Sequence, residues 1–407
     1  MASRSTPGLT MRDAWEIGRV PRIAIVAEGD ANSTDCWSGS AQRFVQSLRK
    51  FGAAVDVYDA ALYAWPRAVA AVRSYHPVRA RWRQRYGLGT HPFNVKSTLA
   101  RRALLKSRIA YDAVVQIGAT FSLNRAAIGS AQYILYCDSN IAYSRRGAPY
   151  SAASRLNESE YRDAFEREEA VYDSADRIWT MSDALASSFH TDFNQSPEKT
   201  LTIYAGLNNP PRIVTDTPRQ RRILFVGKDH ERKGSRVLLR AFEIVRSEIP
   251  DAELHMVGRA HQADDPRGVM SYGVVSRSSD AGAALLDGLF ATSAVYCMPS
   301  RYEPFGIAFL EAMSARLPCI GVSQWAMPEI IEDRVTGWLV ADADEKGLAR
   351  VIIRALRNAD QCERMGELGR KRVMQRFTWD KVAERAIADI RNARLLSSSS
   401  ASSMFSP

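Results

Sequence analysis

Cysteine is scarce in this chain of 407 residues. There are five (Cys36, Cys137, Cys297, Cys319 and Cys362), odd in number and far apart, which leaves neither a disulfide framework nor a CxxC metal site. No apolar run approaches the roughly 20 residues that a membrane span needs. The first twenty residues hold Arg4, Arg12, Asp13, Glu16 and Arg19 without an apolar stretch, so a secretory leader is not expected either. The expected compartment is the reducing cytosol. GxGxxG is absent, which removes support for a nicotinamide or flavin cofactor, and no GxxxxGK[ST] phosphate loop occurs. The histidines (His76, His91, His190, His230, His255 and His261) form no HxxxH pair, so no metal site is expected from them.

Acidic residues are missing from one stretch. Between Ala61 and Ala110 stand Arg67, Arg73, Arg79, Arg81, Arg83, Arg85, Lys96, Arg101, Arg102, Lys106 and Arg108 with no Asp or Glu, so this segment holds essentially the whole net charge of +10. Trp65, Tyr75, Trp82 and Tyr86 are interleaved with the cations. That mixture suits anionic lipid head groups or a phosphorylated acceptor; a solvated basic face is the other reading.

A composition of 46% hydrophobic and 25% charged residues is that of a globular chain of two or three domains. Arg22 to Ala27 reads as a buried strand, followed by a polar loop and by Ala41, Phe44, Val45, Leu48 and Phe51 at helical spacing. Apolar runs at Ala113 to Ile117, Tyr133 to Tyr136, Ile178 to Met181 and Leu201 to Tyr204 alternate with helical stretches such as Glu158 to Ala175. Asn208 to Gln220, with Pro210, Pro211 and Pro218, reads as a linker. The alternation then restarts: strand Ile223 to Val226, helix Ser235 to Ile249, strand Glu253 to Val257, helix Asp280 to Thr292, strand Ala294 to Met298, helix Ile307 to Ala315. This implies an α/β protein of two doubly wound, Rossmann-like halves, with ligands bound in the cleft between them beyond the carboxyl ends of the strands. The expected divisions are an extension (1–20), a first half (21–208), a linker (209–220), a second half (221–378), a last helix (379–396) and a Ser-rich disordered tail (397–407).

Two segments carry candidate chemistry. In Gly227 to Ser235 (GKDHERKGS), Lys228 and Lys233 flank a glycine turn at a strand's carboxyl end, where they can neutralise a diphosphate leaving group. In Pro299 to Glu311 (PSRYEPFGIAFLE), Gly306 permits close backbone approach, and the amides near Phe305, Gly306 and Ile307 open a helix suited to an anion or to sugar oxygens. Glu311 lies one turn into that helix, placed to accept two vicinal hydroxyls such as those of a ribose, while Glu303 reaches the other end of the ligand. Asp342-Ala343-Asp344 has the letters of a metal-binding DxD, but Asp344 stands where the helix from Glu345 needs an N-cap, so metal is not expected there.

The E-x7-E element EPFGIAFLE with its Pro-Ser prefix, the VGxxxxxKG turn, Pro328-Glu329-Ile330 followed by Thr336-Gly337-Trp338-Leu339, and Phe377-Thr378-Trp379-Asp380 occur in the order and spacing of the retaining GT-B glycosyltransferases of family 4, the glycogen-synthase-like group 1 glycosyltransferases. The chain resembles that family. The resemblance implies that Lys228 and Lys233 hold the donor diphosphate, that Glu311 holds the nucleotide ribose, and that Glu303 with the Phe305, Gly306 and Ile307 amides holds the donor sugar. Relatives often have Arg at the first cation; Lys228 keeps the charge but not the bidentate fork. It also implies that Gly39, in the first loop, approaches the donor phosphate or the acceptor. Where many relatives have a His after the strand corresponding to Tyr133 to Tyr136, this chain has Cys137-Asp138, and Asp138 is expected to bind a donor or acceptor hydroxyl. Glu303, Asp138 and Lys233 are the expected catalytic residues.

The resemblance implies transfer of a sugar from a nucleotide diphosphate sugar, UDP being the commonest among relatives, to a glycan, lipid-linked or small-molecule acceptor. No carboxylate can be assigned as a nucleophile; the resemblance implies retention through same-face departure and attack, without metal or cofactor. No nucleic acid partner is expected. The setting would be cytoplasmic polysaccharide biosynthesis, with peripheral contact between 61–110 and an anionic inner membrane face. Two other readings stand beside it: a sugar phosphorylase or nucleotide-sugar epimerase on the same fold, and an inactive basic protein that binds membrane or nucleic acid.

Overall fold

A computed structural model describes residues 20–212, 218–258, 260, 262 and 266–403. The extension expected over 1–20 lies outside the described residues except for Val20, as do residues 213–217 of the linker, His261 and the last four residues of the tail.

The first half is a parallel sheet of β1 (Arg22–Ala27), β2 (Ala54–Asp59), β3 (Ala113–Ile117), β4 (Gln132–Cys137), β5 (Arg177–Thr180) and β6 (Thr200–Thr202), in the order β2-β1-β3-β4-β5-β6. The second is a parallel sheet of β7 (Gln220–Val226), β8 (Glu253–Val257), β9 (Val269–Ser271), β10 (Ser293–Cys297), β11 (Cys319–Val322) and β12 (Gly337–Val340), in the order β12-β11-β10-β7-β8-β9. Both orders reverse at the first strand of their half, which opens the crevice where doubly wound sheets bind ligands. Helices cover both faces of each sheet, which is why the central strands read as unbroken apolar runs. This is the GT-B architecture, two Rossmann-like halves facing one another.

Local sequence explains how the chain enters its helices. The helix Ser40–Lys50 buries Ala41, Phe44, Val45 and Leu48 and ends on Arg49 and Lys50, which complement its dipole. Gly39, at φ 84°, begins it. Asn157 and Glu160 form a reciprocal capping box at the start of Glu158–Ser174.

The linker begins as an anchored segment. Asn208 donates to Ser38 O at 3.1 Å and accepts from Trp379 Nε1 at 2.9 Å. At the far end Gln220 already belongs to β7, and Arg219 donates to the carbonyls of Ser293 at 2.6 Å and Ala315 at 2.9 Å. The last helix runs from Trp379 to Ser403, past the expected end at Leu396. This helix crosses to the first half. Asp380 accepts from Ser47 Oγ at 3.0 Å and pairs with Lys50, and the buried Asp389 takes Arg177 and Trp179 Nε1, the latter at 2.8 Å. One apolar core accordingly spans both halves through Ile203, Tyr204, Ala205, Trp379 and Val382.

The basic segment forms three helices, Ala64–Arg73, Arg79–Leu88 and Thr90–Ser107. Not all of its cations are solvated. Lys96 is buried against Glu28 at 2.8 Å, Arg85 pairs with Glu160 at 2.8 Å, and Arg101 donates to Ser122 O at 2.9 Å. Arg67, Arg79, Arg81 and Arg83 are exposed.

Candidate active site

Gly227 follows β7, and the turn from Lys228 to Gly234 leads into the helix Ser235–Glu248. Lys233 projects from that turn to Glu303, and the two form an ion pair with both side chains almost fully covered. Arg232 stands on the other side of the same carboxylate at 3.6 Å, and Ser300 Oγ lies 3.3 Å from it. Arg232 also donates to Tyr302 O at 2.8 Å, and Arg301 N donates to Arg232 O at 2.8 Å, so the two loops are fastened together along their backbones. Burial, and then the charge of Arg232, lower the Lys233 pKa against the opposing pull of Glu303. The expected partner Lys228 sits differently: it is exposed and forms no ion pair among the described residues.

The loop from Ser300 ends at Gly306, whose φ of 110° only glycine adopts without strain, and Ile307 opens the helix Ile307–Ser314. Phe305 is buried beneath it. Glu311 lies on the second turn. Burial pushes its carboxyl up to about 7, while Arg277 and hydrogen bonds from the side chain and backbone of Asn209 pull the other way. The carboxylate assigned to ribose is thus already met by donors from the linker.

The first half contributes at the carboxyl ends of β1 and β4. Trp37 and Ser38 take left-handed conformations (φ 50° and 56°) ahead of Gly39, and the Trp37 side chain hydrogen-bonds Asp138. Burial raises the Asp138 pKa; the Trp37 bond and the backbone at Asp138 and Ser139 oppose it. Gly39 and Asp138, about a hundred residues apart in sequence, are therefore neighbours through one indole. Consecutive linker asparagines extend the connection, with Asn208 on the carbonyl of Ser38 and Asn209 on Glu311.

Sequence reasoning placed Lys233 on one glycine turn and Glu303, Phe305, Gly306, Ile307 and Glu311 on a separate strand-to-helix segment; the structure brings the two segments together through the Lys233–Glu303 pair. It missed Arg232, Asn209, Ser139 and Tyr302. The available signals were the second cation beside Lys233 and the paired asparagines at the end of a segment with no apolar periodicity. In the DxD, Asp342 pairs with Arg301 at 3.0 Å and Asp344 accepts from Gly347 N at 2.8 Å as a helix cap. Among the described residues no group of three His, Cys, Asp or Glu could hold a metal ion.

Residues 220–358 match the family model described as glycosyl transferases group 1. The chain is 32% identical over 223 residues to the MMP alpha-(1->4)-mannosyltransferase of Mycolicibacterium hassiacum, a match covering 52% of this chain and 53% of that protein. The chain thus spans about half the length of that curated relative. In fold it is similar to sucrose-phosphate synthase from Thermosynechococcus elongatus (TM-score 0.67, 19% identity, 92% of this chain and 100% of that one). It is also similar to the Anabaena protein HepE in complex with UDP and glucose (TM-score 0.58, 12% identity, 91% and 100%). The matched residues begin at β7 and cover the Lys233 turn, the Glu303 loop and the Glu311 helix, so the second half carries a group 1 glycosyltransferase domain.

Proposed function

We propose that the protein transfers a sugar from a nucleotide diphosphate sugar, UDP-linked, to a glycan, lipid-linked or small-molecule acceptor, with retention at the anomeric carbon and without metal or cofactor. The observation that carries this reading is the covered Lys233–Glu303 pair, flanked by Arg232 and set against the Gly306 helix start. A cation in so dry a place acts strongly on negative charge developing on a departing diphosphate, because little solvent screens it. Lys233 is shared between Glu303 and that diphosphate, Arg232 adds a second charge, and Lys228 reaches the same turn from solvent. Glu303 and the amides from Phe305 to Ile307 take the sugar hydroxyls. Glu311 takes the ribose, exchanging the Asn209 donors for two ribose hydroxyls. Asp138 faces the same cleft from the first half and orients a hydroxyl of donor or acceptor. With the partners held in this way, the leaving phosphate removes the acceptor proton on the face it departs from.

UDP is supported by the UDP and glucose named with the HepE structure. Among the described residues no helix is long and apolar enough to cross a membrane. The five free, buried thiols suit the cytoplasm. Contact with an anionic membrane is assigned to the exposed Trp65, Val72 and Tyr75 beside Arg67, Arg79, Arg81 and Arg83.

The test is saturation-transfer NMR against UDP-, GDP- and ADP-sugars, with release of free sugar followed in the same samples. Binding of one nucleotide sugar and its slow hydrolysis are expected. Binding of none would overturn the reading, and a sugar phosphate formed only when phosphate is added would mark a phosphorylase instead.

A further inference from the structure

On the side where the last two helices cross between the halves there is a second cleft, of about 670 Å³. It is away from Lys233, Glu303 and Glu311, none of which lines it. Its walls come from three places: Tyr204 just after β6, the loop of Glu332 to Thr336 before β12, and the helices Ala359–Arg376 and Trp379–Ser403. The volume is that of pockets that take small metabolites.

Its charge is lopsided. Lys371, Arg372, Arg376 and Arg385 line it with a single carboxylate, Glu332, which Arg372 already holds at 3.2 Å. The other nearby acid on the last helix, Glu384, pairs with Lys381 at 2.7 Å. Arg372 is committed, donating also to the carbonyls of Ile330 at 3.0 Å and Glu329 at 2.8 Å. Arg376 and Arg385 both lie over the Tyr204 ring, at 4.6 and 5.3 Å from its centroid. Arg376 bonds the Tyr204 hydroxyl through Nη2, and Arg385 uses Nη1 for the carbonyls of Ile203 and Arg376. Their other nitrogens, and the exposed Lys371 ammonium, have no protein acceptor among the described residues. Burial and the neighbouring Arg376 charge make Arg372 less basic, as expected where cations crowd with few counter-charges.

We propose that this cleft binds a phosphorylated small molecule, its phosphate held by Arg376, Arg385 and Lys371, at a site distinct from the donor site. Two guanidinium forks and an ammonium match a tetrahedral oxyanion, and the exposed Val335 and Leu368 offer the ligand's body an apolar wall. The same walls join the halves. Tyr204 Oη donates to Asp183 at 2.9 Å, and Glu329, whose carbonyl Arg372 grips, accepts from Asp183 N at 2.7 Å and Ala184 N at 2.8 Å, capping a helix of the first half. A ligand bound here therefore lies against contacts that join the two halves.

Inorganic phosphate is the probe, titrated calorimetrically into the full chain at constant ionic strength. Three proteins are compared: wild type, the variant Lys371→Glu/Gln375→Glu at the mouth, and Lys233→Ala in the donor site. Lys371 and Gln375 are exposed, so the first variant is expected to fold. Phosphate should bind wild type and Lys233→Ala alike, and the mouth variant roughly tenfold or more weakly, the loss of about one charge-assisted contact. Unchanged binding by the mouth variant, loss of binding in Lys233→Ala, or no binding by wild type would each overturn the proposal. None of these outcomes bears on whether the donor site turns over a nucleotide sugar.

Discussion

Tyr302, the residue before Glu303, crosses the cleft and sets its hydroxyl 3.0 Å from Ser139 Oγ, beside Asp138. Its ring packs edge-on against Trp325 at 4.9 Å between centroids, and Trp325 in turn meets Tyr143 of the first half at 5.1 Å. The Glu303 loop and the Asp138 turn are thereby held in register by Tyr302, Trp325 and Tyr143. Tyr302 is a positioning residue in this arrangement.

Gly147 tests the latch. Its backbone (φ −78°, ψ 13°) suits any residue, yet a Cβ there would meet the Tyr302 ring at 2.3 Å. Gly147→Ala should therefore destabilise the chain by about 1–3 kcal/mol through overpacking and slow donor hydrolysis. In a Tyr302→Ala background the same change should cost less than half as much, so the two substitutions should be strongly non-additive. Equal costs in both backgrounds, measured by denaturant unfolding, would show that the ring does not bear on Gly147.

Removing the ammonium of Lys233 leaves Glu303 covered, faced among the described residues by the charge of Arg232 at 3.6 Å and by Ser300 Oγ at 3.3 Å. Lys233→Met should lower donor hydrolysis about a hundredfold, the usual cost of one preorganised donor to a developing anion. Lys228→Met, at an exposed position, should cost less than about tenfold, since an exposed charge is screened. The reverse order in steady-state rates would show that the diphosphate lies nearer Lys228.

Glu311 predicts a pH dependence. Its carboxyl is raised from an ordinary 4.5 to about 7, and burial does the same to Glu168, also to about 7. In each case the folded chain keeps a proton that the unfolded chain has lost. The stability they contribute is full below pH 4.5 and is lost as pH rises through 7. Unfolding free energy should fall between pH 5 and 8, less steeply in Glu311→Gln. If the ionised form receives the ribose, nucleotide affinity should run the other way, rising with pH through 7. Glu311→Gln should flatten that rise and weaken nucleotide binding roughly tenfold at pH 8. Unchanged nucleotide affinity at pH 8 would remove Glu311 from the ribose site.

Much of this was legible in the chain, for local reasons. β1, β3 and β4 are buried on both faces and read as apolar runs, and the Glu303 to Glu311 segment carries its chemistry within one strand-to-helix turn, where spacing alone fixes geometry. β2 was not read because AVDVYD alternates with acids; β9 and β11 were not read either. The parts of the site that stayed hidden are long-range. Tyr302 meets Ser139 across 163 residues, and no periodicity reports such a pair. Asn209 lay in a proline-bearing stretch that reads as inert linker, yet it bonds Glu311. Lys96 shows the converse: counted among the charges of a basic face, it is buried to 1% exposure against Glu28.

The remaining basic face supports a last prediction. Trp65 is 76% exposed and Val72 74%, and they belong to a helix whose neighbour presents Arg79, Arg81 and Arg83. An exposed indole beside arginines gains by lying among head groups, where ring and charge are each matched. Each arginine near an anionic surface adds about 1 kcal/mol, so changing Arg67, Arg79, Arg81 and Arg83 to Gln should weaken binding to phosphatidylglycerol-containing vesicles by several hundredfold or more. Trp65→Ser should weaken it further, and with less dependence on salt, because that contribution is apolar. Neither variant should alter hydrolysis of the donor, which the proposed function places at the Lys233 turn and the Glu303 loop of the other half. Equal sedimentation of wild type and the four-arginine variant with anionic vesicles would leave this face as ordinary solvated surface.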